Sequence, residues 1–283
     1  LHGEPAWSYL FRKMIPTLTA AGYRVIAPDM VGFGKSDKYI SIDDYSHQMH
    51  VDKMVQLVRE LDLKDVTAHL HDWGGLVGFR VIAEEPERFS GIIASNTSLI
   101  APGRGFLRDL LTHISYPLFK LGIWIQGPAT WEEFIGGDGF TGWIRYSRYT
   151  DNIDVGGIMQ TLGNVSDEER AGYEAPYPNA TYKAGPQIFP YLIPSELRKN
   201  EMAYREVFEK WDKPFLIANS DNDPVTSNNP RLTEMLKRVP TAQEIVIKGP
   251  GHFIQDEAGP EYAQLFIDFI NGNPQPFTKD KVV

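Results

Sequence analysis

The stretch Val66-Thr67-Ala68-His69-Leu70-His71-Asp72-Trp73-Gly74-Gly75 decides the fold. Val66–His71 is the short apolar run expected of a buried strand. Gly74–Glu85 is apolar nearly all round and stops before Pro86, as a helix packed on a sheet does. Between them stands one polar residue, Asp72. A strand that turns sharply into a helix needs small neighbours, and it lifts the residue at the turn toward the free N–H groups of the helix start. An aspartate there is placed to act as a nucleophile. The plainer alternative is an aspartate that only caps a buried helix.

Working outward, further strands are expected at Tyr23–Ala27, Gly91–Asn96, Phe215–Ser220 and Glu244–Lys248, each rich in Val, Ile or Phe and bounded by turn residues. Helical patterns alternate with them. Met54, Leu57, Val58 and Leu61 form one stripe in Tyr45–Leu61, and Leu265, Phe266, Phe269 and Ile270 form another, closed by Gly272 and Pro274. Strands alternating with helices predict a mostly parallel sheet covered on both faces. From about Ile100 to about Trp211 the rhythm breaks into helix-like, aromatic sequence too long for a loop. The expected organisation is therefore a core of residues 1–99 and 212–283 with a helical cap, 100–211, inserted.

Three more motifs fall at strand ends. His2-Gly3-Glu4-Pro5 can turn the Glu4 backbone N–H into an oxyanion hole. Ser220-Asp221-Asn222-Asp223-Pro224 follows a strand and offers a carboxylate. Gly249-Pro250-Gly251-His252-Phe253 follows the last strand and offers a base on a glycine-rich loop. Each alone has an ordinary structural explanation. In the chain order nucleophile, acid, histidine they describe an α/β-hydrolase, with Leu70 where the elbow's first glycine usually stands. Gly34-Lys35-Ser36 lacks the earlier glycine of a phosphate loop, because Asp29 stands there. His69 with His71, and His47 with His50, could each face a metal, yet neither pair has a third ligand at a recognisable spacing. No metal or other cofactor is expected.

The chain resembles the haloalkane dehalogenases. The resemblance rests on His2–Pro16, Pro28–Asp37, His71–Gly75, Gly139–Trp143, Tyr173–Pro178, Phe189-Pro190, Asp223-Pro224 and Gly251–Glu257. It implies Asp72 as nucleophile, His252 as base and Asp223 as the acid of the triad, with Asp221 as a possible substitute. Trp73 and Trp143 would hold the halide, and the backbone amides of Glu4 and Trp73 would form the oxyanion hole. Phe140, Phe189 and Pro190 would line the substrate pocket. The subfamily with its acid after the preceding strand fits less well, because Asn96 ends that strand. The family also carries strands ahead of the His2–Pro5 motif. Their absence predicts an incomplete sheet with an exposed edge. The leading part of the cap, Arg104–Phe134, matches the family pattern poorly, so Trp124 or Trp131 competes with Trp143.

The implied chemistry suits these residue types. Displacing halogen from an sp³ carbon needs an anion that is ready without a base, and a carboxylate at neutral pH is one. An indole N–H donates to the departing halide and accepts nothing. An epoxide hydrolase is the rival reading. It would use the same triad and draw acids from Tyr146, Tyr149, Tyr173 or Tyr177. A non-catalytic ligand-binding protein on this fold is a more distant one.

Composition narrows the partners. The 283 residues carry 28 Lys and Arg against 37 Asp and Glu, for a net charge of −9, which disfavours nucleic acid and anionic membranes. There is no cysteine, so disulfides, thiolate metal sites and a thiol nucleophile are excluded. The resemblance implies a small halogenated aliphatic substrate, water and a halide product as the partners. The expected location is cytoplasmic, and the composition leaves the oligomeric state open.

Overall fold

The computed structural model describes residues 1–99, 106–136, 139–225 and 230–279. The first residues of the expected cap, 100–105, lie outside them. Four parallel strands form the sheet of the described residues: β1 (Val66–His71), β2 (Phe89–Ser95), β3 (Phe215–Ser220) and β4 (Ala242–Ile247), side by side in chain order. Leu70 lies against Ala94, Ala94 against Ile217, and Ile217 against Glu244. Parallel neighbours in chain order require a crossover between each pair, and helices provide them.

Ahead of the sheet come α1 (Ile15–Ala20) and α2 (His47–Glu60). Ser46 caps α2 by accepting the Met49 amide at 3.1 Å. The buried stripe of α2 is Val51, Met54, Val55 and Val58, while Leu61 is exposed. The expected stripe is thus turned slightly about the axis. α3 (Trp73–Glu84) is buried along nearly its whole length, as its composition predicts.

Between β2 and β3 the described residues form helices and no strand: α4 (Phe106–Gln126), α5 (Trp131–Gly136), α6 (Gly139–Tyr149), α7 (Val155–Gly163), α8 (Asp167–Glu174), α9 (Ala184–Ile188) and α10 (Leu197–Glu206). α11 (Pro230–Lys237), α12 (Ile254–Glu257) and α13 (Gly259–Ile270) complete the chain. α8 is tied to the core through a partly buried cluster around Asp256. Arg12 grips both oxygens of Asp256 at 2.9 and 2.8 Å, Tyr173 donates to Asp256 at 2.5 Å, and Arg12 and Lys13 both reach Glu169.

One expected strand is absent. Tyr23–Ala27 joins no ladder. A strand exists only by pairing, and among the described residues no segment pairs with this one. A largely apolar cleft of about 670 Å³ separates Tyr23–Pro28 from Val66–Leu70. On that outer edge of β1 Leu1 makes contact, its amine donating to the His69 carbonyl and its carbonyl accepting the His71 amide at 3.4 Å.

Candidate active site

Asp72 joins β1 to α3 with φ 50° and ψ −127°, a conformation that costs a non-glycine residue energy. Its surroundings show why glycines follow. A Cβ on Gly75 would lie 1.9 Å from the Thr97 hydroxyl, and one on Gly74 would lie 2.3 Å from the His2 carbonyl. Thr97 uses that hydroxyl to donate to the Asp72 carbonyl at 2.6 Å. The Asp72 side chain makes no capping bond to α3. Its Oδ1 instead accepts the Glu4 amide at 2.7 Å, so the helix-cap alternative does not describe it. No hydrogen bond runs from the Trp73 amide to this carboxylate among the described residues; Trp73 is the first residue of α3.

The turn that presents the Glu4 amide is fixed by His2. Its Nε2 accepts the Met30 amide at 3.0 Å, and its Nδ1 donates to the Gly3 carbonyl at 3.0 Å. Burial pushes the His2 ring down to about 4, which keeps it neutral and able to accept.

His252 lies between two carboxylates. Its Nδ1 meets Asp223 Oδ1 at 2.9 Å and its Nε2 meets Asp72 Oδ2 at 3.3 Å. Burial opposes a charge on the ring. The Asp223 charge and hydrogen bond, helped by Asp72, outweigh it and push His252 up to about 10. Asp223 is fully buried and also accepts the Val225 amide at 2.8 Å. Asp221 accepts the Gly249 amide at 2.9 Å from an exposed position and makes no contact with His252.

Several residues that hold this arrangement have no role assigned by the motifs. Asn96, at the end of β2, donates to the carbonyls of His252 at 2.8 Å and Gly251 at 3.3 Å. Ser220 donates to the Gly251 carbonyl at 2.6 Å, and His71 Nε2 donates to the His252 carbonyl at 2.9 Å. The one available signal is a polar residue at a strand end, where a backbone loop needs donors.

The Trp73 ring is buried with its centroid 5.4 Å from that of Phe189, and Pro190 is buried beside Phe189. Trp143 lies half-buried on α6, 4.9 Å from Phe134, and no ring contact joins it to Trp73. Phe140 opens α6 with half of its surface in solvent. Trp131 packs on Phe134 and Tyr146, and Trp124 is 71% exposed, which sets Trp124 apart as a poor halide ligand in this arrangement. Of the tyrosines weighed as oxirane acids, Tyr173 already donates to Asp256, and Tyr146 is stacked among cap aromatics. Among the described residues no helix is long and apolar enough to cross a membrane, and no three His, Cys, Asp or Glu side chains converge as a metal site.

A strand-end aspartate, a late aspartate and a looped histidine brought together on a parallel sheet are the arrangement of an α/β-hydrolase, and the family model for that fold matches residues 1–259. Relatives narrow the class. The haloalkane dehalogenase of Psychrobacter cryohalolentis is 39% identical over 97% of this chain and 83% of its own length. That of Mycolicibacterium paratuberculosis is 37% identical over 95% of this chain and 81% of its own. The tetrameric haloalkane dehalogenase DpaA from Paraglaciecola agarilytica superposes with a TM-score of 0.75 at 28% identity, over 93% of this chain and 80% of that one. The chain belongs to the haloalkane dehalogenase family. Its reaction is the hydrolysis of a carbon–halogen bond.

Proposed function

We propose that Asp72 is the nucleophile, His252 the base, Asp223 its orienting acid, and Trp73 and Trp143 the halide donors. The observation that carries this reading is the position of the Asp72 carboxylate, between the Glu4 amide and the His252 ring, with Asp223 behind that ring.

In the first step an Asp72 oxygen attacks the carbon, and the halide leaves with the bonding pair. The product is an alkyl ester of Asp72 and a halide ion, received by the indole N–H groups. Esterification removes one of the two negative charges beside His252. The ring, raised to about 10 by both, then loses its proton to solvent and becomes a base. Water attacks the ester carbonyl while His252 Nε2 takes its proton. The Glu4 amide, with the Trp73 amide as second donor, stabilises the oxyanion. Collapse expels the alcohol, which takes the proton from His252, and the resulting Asp72 acid passes its own proton to the freed Nε2, restoring the carboxylate and the protonated ring. The balance is haloalkane plus water giving alcohol, halide and one proton.

Phe189, Pro190 and Phe140 form the apolar wall for the alkyl chain in this reading. Residues 100–211 act as the cap over a core of 1–99 and 212–283. The substrate is a small halogenated aliphatic molecule, and the work is done without a cofactor in the cytoplasm.

The test is His252→Phe. Alkylation needs no base, whereas ester hydrolysis does, so this variant stalls as the ester. After mixing with a 1-bromoalkane, mass spectrometry should find one alkyl group on Asp72 and about one equivalent of bromide released. Sustained turnover by the variant would remove His252 from the mechanism. Addition of a whole epoxide without halide release would favour the epoxide-hydrolase reading.

A further inference from the structure

Glu4 is used above only through its backbone. Its side chain poses a separate question, because both carboxyl oxygens are buried and neither has a hydrogen-bond partner among the described residues. The residue is only 4% exposed. A carboxylate in such a place, with no donor and no cation on it, is costly. The charge that does act on it has the same sign: Asp72, whose Oδ1 is bound by Glu4's own amide at 2.7 Å.

We propose that the Glu4 side chain is a carboxylic acid kept protonated beside the nucleophile, acting as a positioning residue that leaves Asp72 the one negative charge at this end of the site. The proposal rests on the reading of Asp72 as nucleophile. Two carboxylates that repel each other across a buried region cannot both ionise cheaply, so the pair shares its charge unequally. Burial decides which partner gives way. Asp72 has the Glu4 amide and His252 to satisfy its oxygens, and Glu4 has neither. Burial first, and then the Asp72 charge, hold the Glu4 carboxyl well above the usual carboxylate range. The other groups nearby do not reverse this. Neutral His2 serves Met30 and Gly3, and Asp29 is engaged by the Ser8 and Lys35 amides. Lys38 is bound to the Gly34 and Ser36 carbonyls. On the cap side stands the buried Tyr177. Burial above all holds its phenol well above the ordinary range, so Tyr177 adds no charge beside Glu4.

The consequence for chemistry is that the Glu4 proton and the Asp72 charge are linked. When Asp72 becomes a neutral ester, the repulsion that helps hold the proton on Glu4 disappears. Asp72→Asn reproduces that charge state without any reaction.

Infrared difference spectroscopy tests this in the resting protein. A buried protonated carboxylic acid gives a carbonyl band resolved from carboxylates and amides. At neutral pH, parent minus Glu4→Gln should show one such band, and selective ¹³C labelling of glutamate should shift it if the Gln variant folds poorly. The titration of that band should move down by about one pH unit or more in Asp72→Asn. Absence of the band at neutral pH overturns the proposal, and so does a titration unchanged in Asp72→Asn. As a kinetic arm, the single-turnover halide burst should be slowed at least tenfold by Glu4→Ala and largely recovered by Glu4→Gln, a neutral acid's nearest mimic. A Gln variant as slow as the Ala variant overturns it too. The infrared arms need no turnover, so they stand apart from the fate of the His252→Phe experiment.

Discussion

Asp72 is held at three atoms: Oδ1 by the Glu4 amide, Oδ2 by the His252 ring, and its carbonyl by the Thr97 hydroxyl. Motif reading located the first two contacts, because a nucleophile and its base leave a pattern in chain order. It could not locate the third, since a threonine one turn beyond β2 resembles any other. The same limit applies to halide recognition. Trp73 is marked by adjacency to Asp72, whereas Trp143 is one of several tryptophans in residues 100–211 and packs on Phe134. Replacing either Trp73 or Trp143 with Phe should remove a charge-assisted donor, at a cost of about 1.5–3 kcal/mol or roughly one to two decades in halide affinity. Bromide titration by tryptophan fluorescence, beside the burst rate, measures it. A silent Trp143→Phe with a harmful Trp131→Phe would move the second donor to α5.

At the scale of elements, β1 and α3 were legible because their demands are local: an apolar run, a crowded turn, and glycines where a Cβ has no room. Asp72 stays in its costly conformation because Thr97 and Gly75 lock the turn around it. Thr97→Val keeps the shape and deletes one hydrogen bond. It should cost about 1 kcal/mol in urea unfolding. It should also slow the halide burst several-fold more than it changes substrate affinity, since the elbow would be less firmly aimed. An unchanged burst rate would leave Thr97 with a purely structural role. Tyr23–Ala27 teaches the opposite lesson. Its composition is that of a strand, but a strand is a relation between two segments, and residue types in one of them do not reveal whether the other is there.

For the molecule as a whole, the interruption of the strand rhythm showed where the helices of 106–206 fall. It did not show how they attach. That depends on Arg12, Lys13, Glu169, Tyr173 and Asp256, which come from three distant parts of the chain. Burial works against the Glu169 charge, but Lys13, Ser166 and Arg12 outweigh it and pull its carboxyl down to about 2. A folded value below the unfolded one means the contribution is fully present above the ordinary glutamate value, and is lost as pH falls toward about 2. Acid should therefore loosen α8 from the core before the sheet melts. Hydrogen exchange at Asp167–Glu174 should rise between about pH 4.3 and pH 2, and Glu169→Gln should show the raised exchange already at neutral pH. Equal protection in parent and variant would show that the cluster does not hold the cap.

The cleft between Tyr23–Pro28 and Val66–Leu70 can also be considered in the language of volume. Its roughly 670 Å³ opens to solvent, so its two walls do not pack on each other. Close-packed regions have low compressibility, and walls without packed neighbours yield first. Hydrostatic pressure should therefore act on this molecule unevenly. Amide resonances of Val25 and Ala68, on the two walls, should shift and broaden at pressures that leave Leu216 and Ile217 in β3 unmoved. The flank beside the strand that carries Asp72 would then be the compressible side of the sheet.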